Sequence, residues 1–576
     1  MKKFLLFSLA AAGTAALQAQ TQADYKWCST YDDGAPTCNV NTVCPAGDGN
    51  YFMAGTIGAN ATTLHWNEQD ITPAGGMNVT YQKGFTIGKV SATGSMLWSV
   101  TSGTANVANN NIFLAPTPDG GVVMACNATY GKDGNGAPTL ITLCGTGDTE
   151  PLSIGFDNFA TGKSPYYGVI IKLDKDGAIN WYHLLAANPF GGPAGDLYEA
   201  NPVSFKSLAV DDQGNVYAGG LNKTAARYDT AVSDALIPAS ANSAVNAKGT
   251  GLTDGSSGFI LKYEAAEGHH AVNAPKAYWQ NNATTPYAGQ ESVCGLTCKG
   301  NTLYFVMTVN GLTDAEYRLG GVNVAIDNTL NGNVVYGAID ATEMRLMSAN
   351  ALKATKGNGT THVTQLKSLQ LAGDRLAVCM SLNGGFEQGT NTLTASSTGK
   401  LEGATVLIST ATLNAERGYC TGKNIGGDYL AIIDEGANTL YTVGYVMTDG
   451  ILLHSFDLNT TDYKGTTKLA EEGTVYSAWF DSATKDLLVS AYAKKLGKLC
   501  GTETVSATYS AFHGFLLAVN IPQVNGVAGI DTLPAAESTD APVEYYNLQG
   551  IRVLNPAPGT LVIRRQGAAV TKTILR

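Results

Sequence analysis

The residues best suited to chemistry occur in this chain at spacings that match no catalytic or metal-binding motif. Its seven histidines (65, 183, 269, 270, 362, 454 and 513) form no His-Glu-x-x-His pair, and no Cys-x-x-Cys exists to hold zinc. Asp174-Lys175-Asp176-Gly177 resembles the start of a calcium loop but lacks the third oxygen ligand and the closing Glu, so it reads as a hairpin turn. Gly162-Lys163-Ser164 ends like a phosphate-binding loop. Six residues, however, separate Gly155 from Gly162 where that cradle needs four. No Gly-x-Ser-x-Gly elbow presents a serine nucleophile. Carboxylate pairs such as Asp211-Asp212 fall in turn-forming sequence, and spacing alone cannot set two of them across a glycosidic bond. No catalytic, cofactor-binding or metal-binding residue is assigned on this basis, and no cofactor is expected.

Cysteine chemistry is the remaining candidate. Cys28 and Cys38 bracket a turn-forming Asp-Asp-Gly-Ala-Pro stretch that would bring them together as a disulfide, with two free thiols as the alternative. Cys294 and Cys298 cannot bond within one strand, because four residues span about 13 Å against a Cα limit of about 7 Å. Cys126 and Cys379 lie inside apolar runs and read as small buried hydrophobes.

The elements that position these residues follow from the whole chain. Of its 576 residues 44% are hydrophobic and 14% charged, too apolar for a disordered chain. The net charge of −11 and a pI near 5.2 argue against a nucleic-acid partner, which would call for a basic face. Met1-Lys2-Lys3, an apolar run from Phe4 to Ala16 and the small Ala19 form a signal-peptide pattern over residues 1–19. That run is too short to span a bilayer, and no later stretch is long enough, so no transmembrane segment is expected. An N-terminal segment (20–40) precedes the main body.

Between residues 41 and 521 a pattern recurs seven times. One unit is FKSLAVDDQGNVYAGGLN, a polar insertion, GFILKYEAAEGHH and KAYWQ, and the two stretches before it match closely. Each unit reads as four short strands joined by Asp-, Gly- and Asn-built turns. The fourth often ends in Trp (Trp98, Trp181, Trp279), placed to pack between sheets. Radially repeated four-stranded units make an all-β protein, a β-propeller of seven blades. Six or eight blades, or a series of β-sandwiches, are the competing arrangements. At roughly 69 residues per unit the repeats are longer than common blades. The surplus falls between second and third strands, at 59–83, 127–166, 222–257, 310–333 and 382–403. Strands alternate in direction, so these insertions leave from one face as a crown of loops.

Lys172-Leu173-Asp174, Gly177 and Trp181, with Gly214-Asn215-Val216-Tyr217, resemble a bacterial propeller repeat. Thr93-Gly94 with Trp98 is similar to the quinoprotein-like repeat. After an Ala-, Pro- and Ser-rich linker (522–543), the tail 544–576 shows three short β-type runs, and from Tyr545 onward its five charged residues are all basic. Tyr546, Asn547, Leu548, Gly550, Arg552, Val553, Pro556 and Gly559 resemble, in order and spacing, the sorting tail of Bacteroidetes proteins carried by the type IX secretion system. Thr560-Leu561-Val562 stands where those tails usually carry an aromatic residue. The resemblance implies passage to the outer surface, with the secretion machinery as a partner. Thr230, Ser482 and Thr532 lie in Asp-Thr/Ser-x triplets that resemble the O-glycosylation sites of such proteins.

The expectation is therefore a secreted or surface-attached, non-catalytic propeller that binds a glycan or protein through its loop crown. An exported propeller enzyme, either a carbohydrate-active hydrolase or lyase or a quinoprotein-like oxidoreductase, is the alternative. A structural cell-envelope component is the third reading.

Overall fold

The computed structural model describes residues 22–526 apart from 33–37, 59–60, 62, 73–83, 103–105, 130, 133–137, 140, 145–151, 155–165, 188–202, 223–225, 229–255, 266–267, 282–289, 311–316, 358, 360, 396–399, 425, 447, 502 and 505–511. It also describes three strands beyond them, Val543–Tyr546, Leu561–Gln566 and Ala569–Ile574.

The strands between Asp24 and Asn520 form seven blade sheets and two separate two-stranded sheets (Gly131–Lys132 with Pro138–Thr139, Tyr317–Leu319 with Val322–Val324), and the innermost strand of each blade has one free edge. These inner strands are Asn39–Pro45, Asn106–Pro116, Val203–Val210, Gln290–Lys299, Val363–Ala372, Asp428–Asp434 and Thr474–Asp481. Each contacts the next and the last contacts the first, so they close a ring around a central channel. The protein is a seven-bladed β-propeller. Among the described residues no helix is long and apolar enough to cross a membrane.

The ring closes with a strand that the repeat pattern leaves outside. Asp24–Asp32 pairs with His513–Asn520 and supplies the outer strand of blade 7, so the propeller begins before residue 41. Its Trp27 shows why this strand belongs to the repeat. Trp27 Nε1 donates to Ala92 O at 2.8 Å, just as Trp98 Nε1 donates to Lys175 O at 3.1 Å one blade on. In both cases the indole covers a left-handed glycine, Gly94 (φ +88°) or Gly177 (φ +91°), where a Cβ would come within 2.8 or 2.7 Å of the ring. Trp181 stacks on Tyr263, and Trp279 packs on Phe305, across the next two blade junctions. At the other end of the propeller, packing continues past Pro522: Val524 is buried, and Asn525 N donates to Asp434 Oδ2 at 2.8 Å.

The insertions between second and third strands follow one rule. Part of each pairs with, or bonds to, the outer strand of the preceding blade. Blade 1's hairpin (His65–Trp66, Gln69–Asp70) adds to Asp24–Asp32, with Tyr31 opposite Trp66. Blade 2's Ile141–Cys144 adds to Met96–Ser102, and blade 3's Ala226–Tyr228 adds to Ile179–Ala187. Blade 5's Gly385–Gln388 adds to Arg345–Thr355, and blade 7's Lys498–Leu499 adds to Tyr463–Ala470. Blade 4 makes the link through side chains. Asn281, just past the outer strand of blade 3, accepts from Gly320 N at 3.2 Å and donates to the buried Glu291, which also accepts from Tyr317 OH. Only blade 6 has a tight connection, Val446 to Gly450. Unpaired outer edges invite association, and these hairpins cover them.

Candidate functional site

The channel is the place where all seven blades converge, and one local irregularity shapes it. Every inner strand has a register shift against its second strand. A bulge leaves one residue out of the ladder and re-aims it. In six blades the shift brackets a single residue: Asn41, Lys206, Cys294, Lys367, Tyr429 and Tyr476. The inner strand's other edge is free, so these residues form a belt at the channel. Two of its members are in contact, and two pack on aromatic residues of neighbouring strands. Lys367 Nζ lies 5.4 Å over the Tyr429 ring, and burial pulls its amine below the ordinary lysine range. Tyr429 packs on Tyr445, and burial pushes its hydroxyl pKa up. Tyr476 packs edge-on to Tyr492, which stacks on Phe512. Lys and Tyr are side-chain types that serve recognition, whereas Asn41 is buried and its side-chain oxygen accepts from Thr56 N at 2.9 Å. The belt's residue types share no pattern along the chain, so only the bulge geometry reveals it.

Beyond the belt, towards the rim of tight first-to-second strand turns, lies a cavity of about 230 Å³. Six inner strands line it, chiefly through Cys44, Ala115, Leu208, Leu296, Leu369 and Trp479. The Nε1 of Trp479 is buried and has no acceptor among the described residues. The cavity's edge includes Asp211, whose role is structural. Its carboxylate accepts from Gln213 N, Asn215 N and Tyr217 OH at 2.8 to 3.0 Å and so builds the hairpin turn. Asp174 does the same for Asp176 N and Ala178 N, which confirms a turn there.

At the insertion rim the inner strand of blade 6 begins with Asp428, fully buried. Burial lifts its carboxyl pKa to about 7, while Thr405 Oγ1 of blade 5 donates to Oδ2 at 2.9 Å. One group of metal-ligand types gathers among the described residues, Asp32, Cys38 and His513 at the ring's seam. Residues 32, 38 and 513 have no motif spacing, so sequence reading passes over them.

The Cys28–Cys38 pairing is corrected: no disulfide joins them. Side chains alternate across the Asp24–Asp32 strand. Cys28 packs with Tyr25 and Cys500 on one face, whereas Cys38 joins Trp27 and Tyr31 on the other. Cys126 and Cys379 are buried, as expected. Ser482 sits half-buried in a turn whose Asp481 carboxylate accepts from Ala483 N at 2.8 Å. Thr230, Thr532, Asn547, Leu548, Gly550, Arg552, Val553, Pro556 and Gly559 lie outside the described residues. Tyr546 ends the first strand of a three-stranded antiparallel sheet built by the tail.

No protein-family model matches the sequence. No curated protein matches it either. Among solved structures, the chain is similar to the Dos1 propeller (TM-score 0.35, 9% identity, covering 86% of this chain and 95% of that one). It is also similar to a europium-containing methanol dehydrogenase (TM-score 0.34, 10% identity, 86% and 93% covered). A third is the dihydro-heme d1 dehydrogenase NirN (TM-score 0.33, 8% identity, 76% and 71% covered). The chain's own strand order and cyclic closure carry the propeller assignment.

Proposed function

We propose that this protein is an exported, surface-delivered propeller that recognises a glycan or protein partner without catalysing a reaction. The asymmetry of its two rims carries this reading. At one rim the connections are tight Asp- and Gly-built turns such as Ser91–Ser95, Asp174–Ala178 and Asp211–Asn215. At the other, six of the seven second-to-third strand connections are long insertions. A rigid ring that gathers long connections at one end is a common support for binding loops. Part of each insertion braces the neighbouring blade, and recognition is assigned to the rim from which these insertions leave.

The test is a glycan array and a protein-interaction screen with the exported chain. Replacing residues 229–255 by a short Gly-Ser linker should abolish the hit and leave the melting transition in place. Filling the opposite cavity with Leu208→Phe should leave binding unchanged. The reverse pattern would move the site to the other rim. Delivery is proposed to rest on the signal pattern and the tail. Removing residues 545–576 should leave the ring folded but undelivered, and normal surface delivery of that variant would refute the sorting role.

A further inference from the structure

We infer that Asp32, Cys38 and His513 form a binding site for a zinc-class divalent transition metal that clasps the seam of the ring. The three residues come from separate elements. Asp32 ends the outer strand of blade 7, Cys38 immediately precedes the inner strand of blade 1, and His513 opens the third strand of blade 7. The only covalent link between blades 7 and 1 is the short stretch between Asp32 and Cys38, so the site lies where the circle is joined.

The geometry suits one central ion. His513 Nδ1 stands 3.2 Å from Asp32 Oδ1 and 3.8 Å from Cys38 Sγ, and all three donor atoms lie within 4.8 Å of one another. A tetrahedral zinc site has Zn–N and Zn–O near 2.0–2.2 Å and Zn–S near 2.3 Å, so its N–O and S–N edges are about 3.3 and about 3.6 Å. The two measured separations differ from those edges by only a few tenths of an ångström.

The arrangement is poorly suited to a nucleophile triad. There the base would meet the thiol through one ring nitrogen and the carboxylate through the other. Here Asp32 and Cys38 both address Nδ1, which is what a shared ion requires and a proton relay does not. The donor set also selects the metal. One oxygen, one nitrogen and one sulfur suit zinc or cobalt and are wrong for calcium or magnesium, which take oxygen ligands. Thiolate and carboxylate together would balance the dication. At present the Cys38 thiol donates to Tyr31 O at 2.9 Å, so binding exchanges that bond for the metal and releases the thiol proton. Cys38 is fully buried and the His513 side chain is 7% exposed, while Asp32, at 30%, leaves a way in.

The experiment is titration of the full, metal-free chain with Zn²⁺ and with Co²⁺. One equivalent should bind, raising the melting temperature, and Co²⁺ should produce a thiolate-to-cobalt charge-transfer band. Cys38→Ala should remove that band and weaken Zn²⁺ binding by about 100-fold or more, since loss of a direct ligand exceeds the 10- to 100-fold effect of outer partners. His513→Gln should weaken Zn²⁺ binding similarly, and Cys28→Ser, on the opposite face of the strand, should change neither readout. Melting in chelator checks that each variant folds. Absence of stoichiometric Zn²⁺ uptake by the parent chain, or a charge-transfer band that survives in folded Cys38→Ala, would overturn the assignment.

Discussion

Blades 4 and 5 are neighbours with the same four-stranded plan, yet their outer edges end differently. Blade 4's outer strand, Arg345–Thr355, is covered by the hairpin Gly385–Gln388 and Asn391–Thr394 from blade 5, giving a six-stranded sheet. At this contact Leu352 and Ala354 of the outer strand and Phe386 of the hairpin are buried. Its Gln388 and Asn391 also bond the backbone of Ala415 in blade 5, each at 2.5 Å. Blade 5's outer strand, Ala415–Asn424, receives no added strand among the described residues, because blade 6 turns tightly where the other blades carry insertions. That strand instead exposes Glu416 and Arg417, and charge protects an edge that no hairpin covers.

The junctions differ in the same way. Blade 5 reaches over blade 4 with a hairpin, whereas blade 6 adds no strand to blade 5 and meets it through a buried cluster that includes Tyr419 and Phe456, together with individual polar contacts. Thr405 donates to buried Asp428, Ser368 donates to Tyr429 O, and Gln370 bonds both Tyr429 O and Ala431 N. Both junctions bury apolar side chains; the first adds a covering hairpin, and the second adds this set of polar contacts around Asp428 and Tyr429.

The largest expected effect breaks the hairpin side. Phe386→Ala should cost about 3–5 kcal/mol in urea unfolding, through lost burial plus the cavity left behind. The matching change on the uncovered edge, Arg417→Ala, should stay within about 0.5 kcal/mol. Equal losses would remove the distinction between the two edges.

Next in size is a pH effect at the polar junction. The Asp428 carboxyl titrates near 3.8 when unfolded and near 7 when folded, so the folded state holds the extra proton between those values. Stability from this group is full below pH 4, falls as pH rises to about 7 and is flat above. Asp428→Asn should abolish that slope, and at pH 8 it should be the more stable protein by up to about 4 kcal/mol. Denaturant midpoints at pH 5 and pH 8 measure the difference. A wild-type slope that persists in the variant would contradict the assignment.

Gln370→Ala comes third. Losing two side-chain bonds to the backbone of blade 6 should cost about 1–2 kcal/mol, with backbone groups of Tyr429 and Ala431 left less satisfied. Glu416→Gln comes last. It removes the exposed ion pair with Arg375 (2.6 Å) and should shift stability by less than about 1 kcal/mol. A larger loss would make charge a structural element of this edge as well as a guard against association.

Much of the fold is legible along the chain because it is local. The alternation of apolar residues, the Asp-x-x-Gly turns and the Trp of fourth strands, which at 98, 181 and 279 stands third in its strand rather than at the end, each depend on neighbours a few positions away. They predict strands, turns and seven units correctly, and they predict the place of five insertions. The sixth, between Ala493 and His513 in blade 7, has no repeat to contrast with and is missed. The strand Asp24–Asp32 is missed because its partner lies near residue 520, and a ring-closing strand leaves no contiguous repeat. The channel belt is illegible for another reason. Asn41, Lys206, Cys294, Lys367, Tyr429 and Tyr476 share a backbone irregularity and no side-chain chemistry.

By itself, the sequence determined the period of the repeat, the turn chemistry and the acidic, motif-poor character of the chain, since these arise from short-range sterics and composition. Tertiary structure decided which strand closes the ring, which edges the insertions cover, and why Cys38 faces His513 rather than Cys28. Those outcomes depend on contacts between residues hundreds of positions apart. The alternation of a strand fixes their direction, and the closure of the circle fixes their partners.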